Sequence, residues 1–355
     1  MPFLLLRWQM FWKYVLKRVF YGILIYIVLV FIFSVLFNSV MEQTLRAQIE
    51  EEIRAEMMGL DSRSTQQIQS FVENRRLEKY SQYRLDKPIF ERIIWRTWST
   101  LTLNLGKSTA IRSAAGDRDV WAIVSEKIPR TLLLFSTAML VDIVIGIWLG
   151  LKKAQKAGKF LDKSTSVGTM IVFGMPSWWL GMILIMFFAY TIKIFPSGNF
   201  HSTPPPEGIA YFFDLIYHLA LPVLTLVVLG FWGRAFLTRN IVLGVLQEDY
   251  IMAARARGIP ERKILYGHTM RTAAPPIVTM SLLALLASVS GNIVFEGIFS
   301  WPGMGNLFWF ALQQNDVPVL MGNLAVTTGL YISGLVILDL IYGLLDPRIK
   351  VGGKA

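Results

Sequence analysis

The sequence predicts an all-α integral membrane protein with six transmembrane helices and a long external segment after helix 1. Three observations lead there. Six stretches are apolar over about 20 residues each, the length that crosses a bilayer core. Lysine and arginine crowd into alternate connections between those stretches. Of 355 residues, 54% are hydrophobic and only 17% charged, where an ordinary soluble domain carries about 25% charged residues.

Composition also excludes several classes. Long uncharged runs rule out a disordered chain, a disulfide scaffold and a fibrous repeat. Without any cysteine there is no thiolate zinc site, iron–sulfur cluster or thiol nucleophile. His201, His218 and His268 are too scattered for a local metal motif, so neither a metal nor a catalytic residue is expected in this chain. The formal charge of +11 fits nucleic-acid binding, or a membrane protein with basic cytoplasmic loops. The placement of the charges favours the membrane, and no nucleic-acid partner is expected.

The first span is Val19 to Phe37, free of charge, and Asn38-Ser39-Val40-Met41 makes a poor cleavage site, so it reads as retained rather than as a leader. The second runs from about Thr131 to Leu151 and contains Asp142; the third from Val167 to Ile192; the fourth from Phe212 to Phe231. The fifth covers Pro276 to Ile298 and the sixth Val319 to Leu345, with Asp339 near its end. Basic residues precede the first span (Arg7, Lys13, Lys17, Arg18), follow the second (Lys152, Lys153, Lys156, Lys159, Lys163) and follow the fourth (Arg234, Arg239, Arg255, Arg257 among others). Segments 196–211 and 299–318 hold no lysine or arginine. The positive-inside rule then places both termini in the cytoplasm of a multi-pass protein in a prokaryotic plasma membrane. The expected organisation is 1–37 for the N-terminus and first span, 38–130 for the external segment, 131–345 for a five-helix core with a cytoplasmic loop at 234–275, and 346–355 for a cytoplasmic tail.

Within the external segment, Met41, Leu45, Ile49, Ile53 and Met57 recur every fourth residue, as on one helix face. Glu42, Arg46, Glu50 and Arg54 alternate in sign at the same spacing and predict weak ion pairs along that helix. The segment reads as a helical arm, either simply exposed or docking an external partner.

The loop after the fourth span is not composed as a tether. Asp249-Tyr250-Ile251-Met252-Ala253-Ala254-Arg255-Ala256-Arg257 is rich in helix formers, with an acid first and arginines last, as the helix dipole favours. Gly258 suits a left-handed cap, and Pro260 prevents continuation. A second helical stretch follows from Glu261 to about Ala273, with Pro275-Pro276 as its stop. A short helix with a small-residue face suits another protein's groove, with Tyr250, Ala253 and Ala254 at the contact and Asp249, Arg255 and Arg257 orienting it.

The run from Asp249 to Val278 resembles the EAA-type loop of binding-protein-dependent ABC importer permeases, most closely the oligopeptide/dipeptide/nickel subfamily. The resemblance covers nearly the whole chain: Leu85-Asp86-Lys87-Pro88, Ile128-Pro129-Arg130-Thr131-Leu132, Pro176-Ser177-Trp178-Trp179-Leu180-Gly181, Phe195-Pro196-Ser197-Gly198, His218-Leu219-Ala220-Leu221-Pro222, Trp301-Pro302-Gly303-Met304-Gly305 and Asp346-Pro347-Arg348 occur in the family's order. Met252 stands where the motif's leading Glu would be, and about forty residues from Met41 are an addition to the pattern. The resemblance implies the type I (MetI-like) permease fold. It further implies a second homologous permease, giving a heterodimer, two cytoplasmic ABC ATPases that bind ATP and Mg, and an external solute-binding protein. The segment Asp249 to Gly258 would couple to the ATPases. This chain has no G-x-x-x-x-G-K-[ST] sequence and would not itself be an enzyme or hold a cofactor.

Pathway candidates follow. Asp142 is a mid-membrane acid, either facing a cavity or partner or held as a protonated structural acid. Glu296, with Trp301, Pro302 and Gly303, belongs to a compact re-entrant turn that in the family lies over the pathway, as a gate. Asp339 reads as half of an ion pair near Arg348, His268 as an ordinary loop histidine. Substrates implied are oligopeptides or dipeptides, with oligosaccharides as the alternative. An ion-driven secondary transporter would show inverted repeats and broken helices, and a membrane enzyme a cluster of reactive side chains; neither pattern is visible in the sequence.

Overall fold

The computed structural model describes residues 2–57, 65–288 and 291–345, with side chains described for 12–57, 67–288 and 291–341. Among these residues the ordered elements are helices. Five are long and apolar enough to cross a membrane, or six if one bent pair counts as a single crossing. The described residues divide into two compact units, those within 2–127 with 307–336, and those within 128–306 with 337–345.

In the first unit, helix α1 runs unbroken from Pro2 to Met57, so the first span and the arm are one helix. Its buried positions Gly22, Val30, Ser34 and Asn38 are spaced in fours, while Phe20, Ile25 and Leu36 are exposed. Small and polar residues thus face the protein and large apolar ones face outward, as a lipid solvent requires. Gly22 lies against Val336 and Ile332, and Tyr26 against Gly329, in helix α13 (Val317–Leu345).

Beyond the span, Ile49 and Ile53 are buried with Leu85, and Leu45, Met57, Val72 and Tyr80 pack around them. The apolar stripe therefore meets helix α2 (Thr65–Gln82). The charge ladder behaves differently from the expected intrahelical pairing. Glu50 receives two bonds from Arg76, Glu56 receives Arg75 at 3.0 Å, and Lys79 pairs with Glu52. Pairing across the hairpin wins because α2 brings arginine and lysine directly over the acids of α1. At the base of the arm, α3 (Ile89–Leu101) supplies Arg96 to Asn38 Oδ1 at 2.7 Å and Arg92 to Glu42 at 3.2 Å. The loop after α3 is tied by buried Asp316, whose Oδ2 accepts from Ser108 Oγ and from the amides of Ala110 and Ile111.

The second unit is built on helix α4 (Val120–Gln155, from Ile128 onward) and helix α7 (Ile209–Leu246). Both are longer than the apolar runs that predicted them and carry a proline inside the helix, Pro129 and Pro222. The third apolar stretch is not one continuous helix. α5 (Phe160–Phe173) and α6 (Ser177–Leu184, continued by a π-helical turn to Thr191) meet at 101°. Proline disfavours helical backbone in the residue before it, and Pro176 itself is extended and starts α6.

The fifth span also differs. α9 (Glu261–Lys263), a π-helical turn at Ile264–Thr269 and α10 (Met270–Ala287) run on as one helix. Pro275 and Pro276 lie inside it instead of stopping it, because in an apolar surrounding a broken helix leaves more backbone groups unbonded than two prolines do. The span ends at Ala287, and Glu296 belongs to a separate short helix, α11 (Ile293–Ile298). Helix α12 (Met304–Gln313) then leads to α13.

Candidate functional site

Helix α8, Asp249–Ala256, forms where the sequence placed it. Its end is a Schellman cap: the Gly258 amide bonds the Arg255 carbonyl at 2.9 Å and the Ile259 amide bonds the Ala254 carbonyl at 3.3 Å. Gly258 has φ +75°, where a Cβ would be strained. The acid-first order holds, with Asp249 in the first turn.

The two faces of α8 are distinct. Ile251 and Ala254 are buried with Ile264, and Leu246 and Ile259 close around them. Tyr250, Met252, Ala253, Ala256 and Arg257 are exposed. Ala254 was expected at a contact with another protein; it packs against its own chain, because the turn at Gly258 folds Ile264 back onto that side. Arg255 bonds Glu261 bidentately, at 2.7 and 3.3 Å, across the turn, and the Tyr250 hydroxyl lies 2.9 Å from Thr272 Oγ1. The helix is thereby fixed on α9 and α10 with one free face.

A second constellation joins α4 to α7. Asp142, 4% exposed, accepts from Arg234 Nε at 2.6 Å, and Arg234 also reaches Met139 Sδ at 3.1 Å. One turn along each helix stands a glycine that accommodates the other helix's charged side chain. A Cβ at Gly146 would lie 2.7 Å from Arg234, and one at Gly230 would lie 2.6 Å from Asp142 Oδ1. Asp142, Gly230 and Arg234 line a cavity of about 500 Å³ with Phe135, Met139 and Ser288 among its walls. The structure sets Asp142 in the wall of a cavity and bonds it to a cation. Sequence reading counted Arg234 as one more loop base, since the apolar run ends at Phe231. The available signal was the spacing Asp-x-x-x-Gly on one helix and Gly-x-x-x-Arg on the other.

The third constellation is the turn after α11. Glu296 is fully buried; its Oε1 accepts from Thr131 Oγ1 at 2.9 Å and its Oε2 from the Asn306 amide at 3.0 Å. The Met304 amide donates to the same Thr131 hydroxyl at 2.7 Å. Trp301, also fully buried, donates from Nε1 to the Arg130 carbonyl at 2.9 Å and sits edge-on to Phe200. Pro302 is half-buried, and a Cβ on Gly303 would lie 2.5 Å from Glu296 Oε2. The segment is clasped onto the start of the α4 span, and Thr131, given no site role by the sequence, is the knot. Asp339 lies in α13, while its expected partner Arg348 and the ending Asp346-Pro347-Arg348 lie outside the described residues.

These geometries belong to a chain whose residues 142–351 match the family model described as binding-protein-dependent transport system inner membrane component. The chain belongs to that family. Among curated relatives it is 33% identical to the oligopeptide transport system permease protein AppB of Bacillus subtilis over 228 residues, 64% of this chain and 71% of the relative. It is 31% identical to the di/tripeptide transport system permease protein DppB of Pseudomonas aeruginosa over 281 residues, 75% of this chain and 82% of the relative. It is 32% identical to the dipeptide transport system permease protein DppB of Escherichia coli K12 over 285 residues, with the same coverage. The family match and the apolar helices make this chain a multi-pass membrane component of a transport system.

Proposed function

We propose that the chain is one of two permease subunits of an ATP-driven importer of dipeptides and oligopeptides. In this reading a second, homologous permease completes the pathway as a heterodimer. Two cytoplasmic ATPases bind ATP and Mg, and an external binding protein delivers the solute. The observation that carries it is α8: a short helix, rigidly capped at Gly258 and pinned by Arg255–Glu261, that keeps one face open in a chain of this family. Tyr250, Ala253 and Arg257 offer that face to an ATPase groove, Asp249 and Arg255 orient it, and Ala254 and Gly258 give it its shape.

Both termini and the segment 234–275 are cytoplasmic in this arrangement, and 38–130 is external, as the lysine and arginine asymmetry supports. Asp142 faces the solute path, and the clasp of Glu296, Trp301, Pro302 and Gly303 closes its outer part. The peptide relatives support peptides over oligosaccharides. The test is ATP-driven uptake of labelled trialanine into proteoliposomes holding the complete complex and its binding protein. Uptake that needs the ATPases supports the reading. Uptake of maltotriose instead of trialanine, or uptake driven by an ion gradient without ATPases, overturns it.

A further inference from the structure

Helix α3 wears its polarity inside out. Arg96, Thr97 and Thr100 are buried beside Ile93, while Phe90, Ile94, Trp95 and Trp98 are exposed. A helix lying in water would turn its arginine and threonines outward and its large apolar side chains inward. The membrane portion of α1 shows the same inversion, with Ser34 and Asn38 buried and Leu36 exposed. Hydroxyls in the two helices are treated alike. Ser34 Oγ donates to the Val30 carbonyl at 2.9 Å, Thr97 Oγ1 to the Ile93 carbonyl at 2.8 Å and Thr100 Oγ1 to the Arg96 carbonyl at 2.9 Å. Each is satisfied within its own helix, as a hydrocarbon surrounding demands.

Two contacts set the depth. Arg92 meets Glu42 at 3.2 Å and Arg96 meets Asn38 at 2.7 Å. Four residues forward on α3 are thus four residues back on α1, and the two helices run antiparallel. Continued, that register brings Ile94 level with Val40 and Trp98 level with Leu36, and all four side chains are exposed. Leu101 lies about 7 Å beyond Arg96, at about 1.5 Å per residue, beside the last turn of the apolar run that crosses the bilayer. Trp95 falls level with the end of that run, the depth that tryptophan favours in a membrane, and the Arg84 guanidinium lies 5.1 Å from its ring centre.

We propose that the C-terminal half of α3, Ile94 to Leu101, is embedded in the membrane leaflet at the Asn38 end of α1. Its occupant is lipid: acyl chains cover Ile94 and Trp98, continuing the lipid-facing surface of α1, while Trp95 and Arg84 stand at the headgroups. The segment between the first two spans therefore dips back into the bilayer instead of lying wholly outside it. Leu85, four residues before α3, packs on Ile49 and Ile53, so the embedded helix also ties the arm to the membrane surface.

The chain has no cysteine, so single nitroxide labels can be placed at Trp98→Cys and Ile94→Cys in the complete complex in liposomes. Ile94→Cys leaves both tryptophans in place, and either position is exposed enough to take the label. Leu36→Cys on the face of α1 serves as the lipid reference and Gln67→Cys on α2 as the water reference. Collision rates with molecular oxygen, which concentrates in lipid, and with a neutral nickel chelate, which stays in water, are read by electron paramagnetic resonance. The oxygen-to-nickel ratio at Trp98 should be several times that at Gln67 and should match that at Leu36, with Ile94 between Gln67 and Trp98. A ratio at both α3 positions equal to that at Gln67 would place the helix in water and overturn the proposal. Low collision rates with both reagents would show that another protein covers this face, and would overturn it equally.

Discussion

Ala253 and Ala254 are adjacent, chemically identical, and assigned opposite neighbours. Ala254 is 2% exposed against Ile251 and Ile264, whereas Ala253 is open. Ala254→Trp should overpack that cluster, with a penalty of about 1–3 kcal/mol, seen as a lower unfolding midpoint of the purified permease. Ala253→Trp should leave that midpoint unchanged and abolish peptide-stimulated ATP hydrolysis by the complex. Normal hydrolysis in the Ala253 variant would remove α8 from the coupling role. The helix limits and the Gly258 cap were legible in the sequence because they are local. Which alanine faces inward was not, since it depends on Ile264 returning from ten residues away. A second residue-scale expectation concerns the clasp: Gly303→Ala drives a methyl into Glu296 Oε2 and should destabilise the permease by about 1–3 kcal/mol, measured by thermal unfolding. An unchanged midpoint would mean that the turn at 301–305 shifts freely.

At the level of elements, the arm tests how far pattern alone can be trusted. Its period-four stripe and its helical state were both readable, yet the partners of its charges were not, because the arginines and lysine that take them belong to α2. Ile49→Pro, at a fully buried position, should unfold the arm locally, since an interior proline disfavours a helix by about 3 kcal/mol. Hydrogen exchange should then show the stretch from residue 45 to 57 exchanging quickly while residues 22–37 stay protected. Protection retained throughout would show that the α1–α2 contacts hold the arm without continuous helix. The same comparison explains the third and fifth spans. The proline doublet at 275–276 was read as a stop, which the structure reverses, whereas at Pro176 the helices meet at 101°. Proline breaks a helix where the preceding residue can turn away, as at Gly174-Met175, and is absorbed where the surroundings leave no other partner for the backbone.

For the whole molecule, the decisive property is which loops share a side of the membrane. Single cysteines in a chain without native ones report it directly. Lys156→Cys and Arg257→Cys should react with an impermeant maleimide only after the cells are opened. Gln67→Cys and Ser197→Cys should react in intact cells. Ser197 is exposed, whereas at the neighbouring Gly198 a Cβ would collide with the Phe299 carbonyl, so a cysteine there would disturb what it reports. Labelling of Lys156→Cys from outside would invert the topology and remove α8 from any cytoplasmic partner. The apolar stretches and the alternation of lysine and arginine between them were legible in the sequence, because lipid imposes apolarity along a whole segment. The cavity was not, because it arises where two helices approach through Gly146 and Gly230.

The unbroken course of α1 has a mechanical consequence. From Asn38 to Met57 the helix continues about 30 Å past the end of the apolar run, at about 1.5 Å per residue, with no hinge and with α2 laid along it as a brace. Such a rod carries a tilt of its membrane portion to its tip. A tilt of about 5° in its membrane portion displaces the tip by roughly 2–3 Å over that length, so the arm amplifies small tilts of the first span into displacements comparable to a side chain's reach.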